Sequence, residues 1–294
     1  MNISFITASF PLDEQTYQEV LTLVKQTGVE DGVHYEEALK TSLMPQYDSK
    51  GFVILAYDDD KDLLIGVTSA TDIIGLNTYE WSSIVAPMYR NLRIGSTMIE
   101  ALQEALEDRG CEGELALAVR TDGKEKRFLT RLGYYYNFSE AYLSAPAETS
   151  TPLYEIKPYL NERTAICELY EEAFGDLYEE SVELIDYTTT TAGHMLFVAY
   201  DGEQVVGTVT TTRDGSIQWL SALAVKKSER HKGIGTALIS WVKHYALQEN
   251  CTNVLLMVEM DNEAALRIYE KNRFTITQQT DYYIRKRIAG NKIG

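Results

Sequence analysis

The sequence predicts an α+β protein made of two similar domains, each a mixed and mostly antiparallel sheet flanked by helices. Three observations support this prediction. The chain has 294 residues, roughly twice the length of an average domain. One half of the sequence repeats the residue spacing of the other half. In both halves, consecutive strand patterns come before a long amphipathic helix, which favours hairpin-paired strands over an all-parallel sheet.

The repeat is clearest around one helix and the turn before it. When Arg90 is placed over Arg230, identical residues recur at matching intervals: Ile94, Gly95, Ile99, Cys111, Leu115 and Arg127 coincide with Ile234, Gly235, Ile239, Cys251, Leu255 and Arg267. Apolar residues at helical spacing also coincide, so the same buried helix face is predicted twice. A stretch rich in Ser, Ala, Thr and Pro at 144–152 separates the halves and predicts domains at 1–146 and 151–288.

Apolar periodicity and turn residues predict the elements of the second half. Asp201-Gly202 is a hairpin turn between two apolar runs, so the strands on either side are expected to pair antiparallel. In chain order we expect a strand, two helices, three strands, a helix, a strand, a helix and two strands, at 153–156, 161–174, 177–187, 195–200, 204–211, 217–225, 233–248, 254–258, 262–271, 274–277 and 282–287. The first half repeats this order, beginning with a strand at 3–7 and ending with a strand from Tyr134.

Charge and composition exclude several classes of protein. The 27 Lys and Arg residues are outnumbered by 44 Asp and Glu residues, and the net charge of −17 repels nucleic acid and anionic lipid. No apolar run approaches the roughly 18 residues that a membrane span needs, and the first ten residues lack the basic charge of a signal peptide. We therefore expect a cytoplasmic protein, a monomer or a homodimer, with no membrane or nucleic-acid partner.

The cysteines and histidines do not have the spacing of a metal site. Cys111, Cys167 and Cys251 are odd in number and far apart, which argues against a disulfide framework and against zinc. The four histidines lack metal-ligand spacing as well. The sequence therefore predicts reduced, mostly buried cysteines and no metal.

A glycine-containing turn, Arg230-His231-Lys232-Gly233-Ile234-Gly235, precedes the long helix of the second half. Backbone N–H groups at a helix start have no acceptor within the helix, and the helix dipole adds positive charge there. The two glycines remove Cβ atoms that would keep an anion away from these amides. Four cations surround the turn in an otherwise acidic chain: Lys226, Lys227, Arg230 and Lys232. The turn is a candidate phosphate site, and a loop that merely needs glycine is the alternative.

Two other phosphate-binding motifs do not fit this turn. A Walker loop has Lys after its second glycine and then Ser or Thr, whereas Lys232 comes before Gly233. A dinucleotide-binding turn has a third glycine where Leu238 stands, within a βαβ unit. These departures disfavour a Walker-type site and a nicotinamide-dependent oxidoreductase.

The turn and the elements around it resemble the GNAT acetyltransferase superfamily. The family signature, Arg or Gln, two residues, Gly, one residue, and Gly or Ala, is matched by Arg230, Gly233 and Gly235. The second family block, Asn-x-x-Ala-x-x-x-Tyr-x-Lys-x-x-Phe, is matched at the correct separation by Asn262, Ala265, Tyr269, Lys271 and Phe274. Arg273 departs from the pattern, since the family usually has Gly before this Phe. The resemblance covers residues 153–287 well and the first half in plan only.

The resemblance implies an acetyl-CoA site in the second domain. In this family the fourth and fifth strands separate, and the pantetheine arm binds backbone groups of the fourth strand, here Leu223, Ala224 and Val225. The pyrophosphate would be held at Arg230, His231, Lys232, Gly233, Ile234, Gly235 and Thr236, and the cosubstrate arm would be contacted by Asn262. Tyr269 would act as general acid toward the departing thiolate, and core packing is the alternative role for an aromatic residue at helical spacing.

The general base is left open by the sequence. Some relatives carry Glu at the position of Met257, and strand alternation puts Met257 on the same face as Glu259. Glu259 is therefore the candidate base, directly or through water, and a solvated strand end is the alternative. Ser221, Tyr282 and Tyr283 are further candidates for lining the same cavity. Since no GxSxG motif and no Cys beside a base is present, direct attack by an amine is favoured over a covalent acyl-enzyme.

The first half has lost the residues that carry this chemistry. Arg93 replaces the first glycine of the turn, Leu129 replaces the tyrosine, and Asp122 replaces the asparagine of the second block. These changes predict a degenerate half, retained for packing or for shaping the acceptor site. Arg90 and Arg93 still offer charge to a phosphate, so weak binding of coenzyme A by the first half stays open.

Acidic residues cluster on the two helices that flank the acceptor in this family. They are Glu168, Glu171, Glu172, Asp176, Glu179, Glu180, Glu183 and Asp186. An acidic mouth would concentrate cationic amines, and a solvated helix face is the alternative. The resemblance implies an N-acetyltransferase that uses acetyl-CoA to acetylate a primary amine of a small molecule or peptide. A non-catalytic acyl-CoA-binding module with a protein partner is the alternative function.

Overall fold

The computed structural model of the protein describes residues 1–35, 50–72, 75–121, 123–151 and 153–285. Their contacts divide the chain into two units. The first comprises Met1–Ser139 together with the described residues from Gln278 onward, and the second comprises Glu140–Thr277. Both units have a mixed sheet with helices packed on it, as the sequence predicts.

In the first half of the chain, helix α1 shows how local sequence sets the boundaries of an element. The Asp13 side chain accepts a hydrogen bond from the Thr16 amide at 2.9 Å and caps the helix start, and Gly32 ends the helix in a left-handed conformation. The elements of this half are β1 (Ile3–Ser9), α1 (Glu14–Asp31), β2 (Lys50–Asp58), β3 (Leu63–Asp72), β4 (Thr78–Val85), α2 (Ile94–Asp108), β5 (Gly113–Val119), α3 (Lys124–Arg131) and β6 (Tyr134–Pro146).

The second half repeats the order of strands and helices seen in the described part of the first half, and two helices precede its central hairpins, as predicted. Its elements are β7 (Glu155–Pro158), α4 (Arg163–Phe174), α5 (Tyr178–Thr190), β8 (His194–Asp201), β9 (Gln204–Asp214), β10 (Ile217–Val225), α6 (Ile234–Gln248), β11 (Asn253–Glu259), α7 (Glu263–Lys271) and β12 (Thr275–Arg285). A short 3-10 turn precedes α2 at Pro87–Tyr89 and another precedes α6 at Lys227–Glu229. In the described part of the chain, no helix is both long and apolar enough to cross a membrane.

The last strand of each half completes the sheet of the other unit. Strands in the first unit follow the order β1-β2-β3-β4-β5-β12, and strands in the second follow the order β6-β11-β10-β9-β8-β7. Residues 140–146 of β6 pair antiparallel with β11 in the second unit, and residues 280–284 of β12 pair antiparallel with β5 in the first. The units therefore do not end where the predicted domains 1–146 and 151–288 end, and residues 286–288 lie outside the described part.

Strand β12 is continuous, although the sequence predicts two strands at 274–277 and 282–287. The polar residues between them interrupt the apolar pattern, but the most polar of the buried ones, Asp281, finds partners inside the first unit. Asp281 is buried and accepts hydrogen bonds from Arg120 Nη2 at 2.9 Å and from Ser139 Oγ at 2.7 Å. Because the buried carboxylate is paired, the strand continues through a segment that looks like a turn in sequence.

Helices cover both faces of the second unit's sheet. Leu143 of β6, Leu220 of β10 and Leu256 of β11 pack with α6 and α7 on one face. Helices α4 and α5 pack against β8 and the end of β10 on the other face. Side chains alternate along a strand, so residues next to these three leucines point away from α6 and α7. The site is built on this arrangement.

Candidate functional site

The turn before α6 presents backbone amides that have no partner in the helix. His231 and Gly233 adopt left-handed conformations, with φ of 65° and 87°, and Gly233 is the residue before the first helical position. The first bond of this helix runs from the Ala237 amide to the Gly233 carbonyl at 2.9 Å. The amides at 234–236 therefore lack an acceptor in α6. A Cβ built on Gly233 would meet nothing within 4 Å, so an anion has open access to them.

The side chains of the turn are held by neighbours in the same unit. Lys232 Nζ lies 2.6 Å from Glu229, and this hydrogen bond raises the pKa of Lys232. The Tyr154 hydroxyl donates to the Lys232 carbonyl at 2.9 Å and fixes the turn. Arg230 Nε donates to the Val225 carbonyl at 3.3 Å and, among the described residues, its guanidinium has no carboxylate partner. Arg230 is therefore the cation of the turn most available to a phosphate.

Strands β10 and β11 separate immediately before this turn. Their parallel pairing covers only Ile217 to Trp219, opposite Asn253 to Leu255. Further along, a bulge interrupts the pairing of β10 with β9 between Ser221 and Ala224, and Ala222 within it has a φ of 45°. The residues predicted to bind the pantetheine arm, Leu223 to Val225, lie in this unpaired stretch beside β11. The bulge changes the direction of β10. It thereby opens the wedge-shaped gap between β10 and β11 that the family resemblance implies.

Gly235 allows helix α7 to approach the start of α6. A Cβ at Gly235 would lie 2.7 Å from Ile268 Cδ1, which is closer than real Cβ contacts allow. The second glycine of the motif therefore serves helix packing, whereas Gly233 serves access to the amides. Sequence reasoning assigned both glycines to the anion, and the structure adds a packing role for Gly235.

Asn262 caps α7. Its Oδ1 accepts a hydrogen bond from the Ala265 amide at 3.1 Å, and the residue is exposed. The side-chain oxygen of Asn262 is thus committed to the helix start, and its amide nitrogen is the part left for the predicted contact with the cosubstrate arm.

Tyr269 is buried in α7 and packs on Phe274, with ring centroids 5.7 Å apart. Burial raises the pKa of Tyr269 to about 12, so the phenol keeps its proton at neutral pH. The neighbouring Arg273 has a φ of 65° and keeps the left-handed turn that glycine makes in the family pattern. Arg273 also lies 3.3 Å from Glu148, an ion pair that a glycine cannot make.

Glu259 lies at the exposed end of β11, on the same face as Met257. Partial removal from water and the nearby carboxylates of Asp261 and Glu140 raise the pKa of Glu259. Glu140 is the residue directly opposite Glu259 on β6. A carboxylate with a raised pKa accepts protons more readily, so its environment suits the base role that the sequence left open.

The other three candidates for lining this cavity separate in the structure. Ser221 is exposed on β10 in the second unit, beside the bulge. Tyr282 and Tyr283 instead lie in the first unit, where Tyr283 is buried and Tyr282 stacks on Phe138 with ring centroids 4.3 Å apart. Strand β12 therefore assigns both tyrosines to the first unit and not to the unit that contains Tyr269.

In the corresponding turn of the first unit, a nearby carboxylate neutralises the arginine. Arg90 forms a bidentate pair with Asp31, at 2.8 and 2.6 Å, whereas Arg230 has no such partner. Arg93 takes the left-handed position of Gly233, with a φ of 66°. Leu129 is buried in the core, and Asp122 lies outside the described residues. These observations agree with the predicted degeneration of the first half.

The acidic helices of the second unit present most of their carboxylates to solvent. Asp186 pairs with Arg163 and is the member of the cluster that is held by a cation on the same helix pair. Glu168 and Glu172 line a depression of about 310 Å³ together with Lys226, and Glu172 also accepts a hydrogen bond from the Lys227 amide at 3.0 Å. Sequence reasoning missed this depression because its two sides come from separate elements.

The chain belongs to the GNAT acetyltransferase family. The model described as "Acetyltransferase (GNAT) family" matches residues 18–134 and residues 163–274, once in each half. The assignment agrees with the open turn before α6 and with the separation of β10 from β11.

Two sequence relatives are N-acetyltransferases. The chain is 32% identical over 85 residues to N-alpha-acetyltransferase 30 of Xenopus laevis, a match that covers 27% of this chain and 31% of that protein. It is 33% identical over 106 residues to an uncharacterized N-acetyltransferase of Methanocaldococcus jannaschii, covering 36% of this chain and 67% of that protein. The match thus spans about a third of the Xenopus protein's length.

Solved structures with the same fold extend over nearly the whole chain. A GCN5-related N-acetyltransferase from Sphaerobacter thermophilus superimposes with a TM-score of 0.75 at 16% identity, covering 96% of this chain and 95% of that one. A tandem GNAT protein from the clavulanic acid biosynthesis pathway superimposes with a TM-score of 0.69 at 13% identity, covering 96% and 98%. These similarities show the fold, two GNAT-like domains in one chain.

Proposed function

We propose that the protein is an acetyl-CoA-dependent N-acetyltransferase whose active site lies in the second unit. The observation that carries this proposal is the combination of three features in Glu140–Thr277: open amides before α6, the separation of β10 from β11, and a protonated Tyr269 on α7. The first unit has strands that separate in the same way after Trp81 and Ala116, but its turn carries Arg93 and its arginine is paired.

Several residues fit acetyl-CoA. The amides at 234–236 and the Arg230 guanidinium are donors for its pyrophosphate, and the unpaired edge of β10 at Leu223 to Val225 offers backbone groups to the pantetheine amides. His231, Lys232 and Gly233 complete the turn. Acetyl-CoA supplies a thioester, whose carbonyl carbon is the acetyl donor and whose thiolate is the leaving group.

The chain's own residues move two protons in the proposed reaction. Glu259 takes the proton that the acceptor amine loses, so that a neutral nitrogen forms the new C–N bond. As the C–S bond breaks, Tyr269 gives its phenolic proton to the sulfur. Each group is in the required state before reaction, because Glu259 is a carboxylate above its pKa and Tyr269 is a phenol below its own. No covalent acyl-enzyme is needed.

The acceptor is proposed to be a cationic primary amine of a small molecule or a peptide. Exposed carboxylates on α4 and α5 carry most of the local charge, and the only described cation within those helices, Arg163, is paired with Asp186. A negative surface raises the local concentration of ammonium ions and speeds their encounter with the site.

Release of thiol from acetyl-CoA, measured across a panel of amines with the full chain, tests the proposal. We expect release that depends on the amine, with mass spectrometry showing an acetylated product. The alternative, an acyl-CoA-binding module with a protein partner, predicts binding of acetyl-CoA by calorimetry without thiol release on any amine. Absence of binding contradicts both functions.

A further inference from the structure

Strands β6 and β12 each pair with a strand of the other half of the chain. The second unit therefore receives a tyrosine from β6 and not the equivalent tyrosine of β12. Tyr142 and Tyr282 occupy equivalent positions of the sequence repeat, one on β6 and one on β12. In the second unit, Tyr142 lies opposite Met257 of β11. In the first unit, Tyr282 lies opposite Leu117 of β5, in the equivalent register. The first half of the chain therefore contributes a side chain to the unit that the second half otherwise builds.

Tyr142 meets Trp219 of β10 at the point where β10 and β11 separate. The two rings are in edge contact, with centroids 6.0 Å apart and planes 74° apart. Since β11 runs between their strands, the rings close over it near Leu255, the last residue of β11 that pairs with β10. Leu255 is buried, whereas Met257, one alternation further along, is half exposed. The ring pair thus walls the narrow end of the wedge.

The ring pair lies on the sheet face that α6 and α7 do not cover. Leu143, Leu220 and Leu256 point into the core beneath those helices, and Tyr142, Trp219 and Met257 are their alternating neighbours. The phosphate-binding turn follows Val225, roughly 20 Å further along β10 from Trp219 by strand geometry. The rings therefore lie far from this turn, at the end of the strand separation where the acyl group of acetyl-CoA would meet the amine if the cosubstrate binds as proposed.

We infer that Tyr142 is a specificity-determining residue of the proposed reaction and that it contacts, with Trp219, an apolar group carried by the acceptor amine. This inference rests on the proposed function. Its occupant is a primary amine with an aromatic or aliphatic substituent next to the amino group. Charge complementarity on the same face supports this choice, because Glu140 and Glu259 face each other two residues along from Tyr142 and Met257 and attract the ammonium group. Aromatic rings provide apolar contact area for the remainder of such a molecule.

The test compares two amines and two tyrosines in the full-length protein. 2-Phenylethylamine carries the apolar group, and ethanolamine is the polar comparison. We expect Tyr142→Ala to raise the KM for 2-phenylethylamine about tenfold, to change the KM for ethanolamine less than about twofold, and to leave acetyl-CoA affinity unchanged by calorimetry. Tyr142→Phe keeps the ring and should behave as the wild type. Tyr282→Ala removes the equivalent tyrosine of the other unit and should leave both KM values unchanged.

Binding of the acetylated product provides a readout that does not depend on turnover. The affinity for N-acetyl-2-phenylethylamine, measured by calorimetry, should fall in Tyr142→Ala and stay constant in Tyr282→Ala. If Tyr142→Ala does not fold, Tyr142→Leu, which keeps apolar volume without the ring, replaces it. An unchanged KM ratio between the two amines in Tyr142→Ala, or in Tyr142→Leu where it replaces Tyr142→Ala, overturns the inference and leaves the proposed function intact, provided that the variant binds acetyl-CoA. Wild-type protein that releases no thiol with any amine overturns both.

Discussion

Tyr269 is a buried residue that keeps its phenolic proton at neutral pH. Its ring packs in the core beside Phe274, and this burial raises the pKa of the phenol to about 12. A phenol in this state donates a proton to a thiolate without first having to acquire one. Its position on α7 is set by the Asn262 cap and by the left-handed Arg273 turn at the two ends of the helix.

We expect Tyr269→Phe to lower turnover about 100-fold, because general acid catalysis by one side chain contributes at least this much. Phe keeps the packing on Phe274, so acetyl-CoA affinity and thermal stability should change little. Steady-state thiol release and calorimetry measure the two effects. Equal turnover by both proteins at saturating acceptor would remove Tyr269 from the reaction, and Tyr245→Phe, on α6, is the control tyrosine.

The pH dependence of turnover reports on Glu259. As a base, this carboxyl works only when it is deprotonated, so the rate should fall as the pH drops through its pKa. Glu140→Gln removes one of the negative neighbours that raise this pKa, and we expect the acidic limb of the pH–rate profile to move to lower pH. Glu155→Gln, an exposed carboxylate on β7, should leave the limb in place. An acidic limb that stays unchanged in Glu259→Gln assigns the base to another group.

At the scale of elements, the turns before α2 and α6 share a backbone conformation but differ in the room that they leave for a phosphate. Both have a left-handed residue before the helix, but Gly233 leaves the space before the amides open and Arg93 places a side chain there. The arginines also differ, since Asp31 of α1 neutralises Arg90 and no carboxylate pairs with Arg230 in the described residues.

Gly233→Arg should therefore weaken acetyl-CoA binding about tenfold or more while the turn keeps its conformation, as Arg93 does in the first unit. Calorimetry measures the affinity and the stoichiometry. Arg93→Gly is the reciprocal variant, and we expect it to leave one binding site per chain because Arg90 remains paired. Normal binding by Gly233→Arg argues against the phosphate role of this turn.

An ion pair between a buried lysine of α6 and a partly exposed glutamate ties the segment after β6 to α6. Lys243 is only 2% exposed, and its Nζ lies 2.6 Å from Glu148 and 3.1 Å from the Asn272 carbonyl. Removing Glu148 leaves this ammonium without its carboxylate, and we expect Glu148→Ala to lower the free energy of unfolding by about 3 kcal/mol. Glu263→Ala, which removes an exposed pair with Arg267, should cost under about 0.5 kcal/mol. Urea denaturation measures both, and similar losses in both variants contradict the assignment.

The same pair predicts how stability varies with pH. The bond to Lys243 holds the pKa of Glu148 below its usual range, so the folded protein binds this proton less readily than the unfolded chain. The stabilisation is present at neutral pH and is lost as the pH falls through the lowered pKa. Thermal melting at descending pH should thus show a smaller difference between wild type and Glu148→Ala at the acidic end.

Most local elements and the site turn were predictable from the sequence because their causes are local. The Asp201-Gly202 hairpin, the capped α7 and the glycine turn all depend on residues that are neighbours in the chain. The bulge at Ala222 was not predictable, since no residue type in β10 marks a left-handed position. The continuity of β12 was also hidden, because Asp281 is acceptable in a strand only through its bonds to Arg120 and Ser139. A sequence pattern shows the type of each residue but not the distant residues that it contacts.

At the scale of the whole molecule, the repeat predicts two domains and the structure changes their membership. A sequence shift aligns each terminal strand with its counterpart, but it carries no information about which sheet the strand joins. Strand pairing is long-range, and both equivalent partners, β5 and β11, offer the same register. For this reason the sequence groups Tyr282 and Tyr283 with the second half of the chain, whereas the structure assigns them to the first unit.

Fragment boundaries test the exchange directly. We expect residues 140–277 to fold and bind acetyl-CoA, because this contiguous segment contains every strand of the second unit. The predicted domain 151–288 lacks the strand at 140–146 that pairs with β11 and carries Ala141 and Leu143 of the core, so it should fail to fold. Circular dichroism melts and calorimetry compare the two. Cooperative melting and binding by 151–288 alone would contradict the exchange.

The placement of β12 also governs how the protein is made. The first unit's sheet gains the strand beside β5 only when residues 280–284 have left the ribosome. At roughly 5–20 residues per second, β5 of the nascent amino-terminal sheet stays unpaired on one side for on the order of ten seconds or more. An exposed strand edge of this kind can pair wrongly with other chains. A chaperone that shields this edge during translation should therefore increase the yield of native protein.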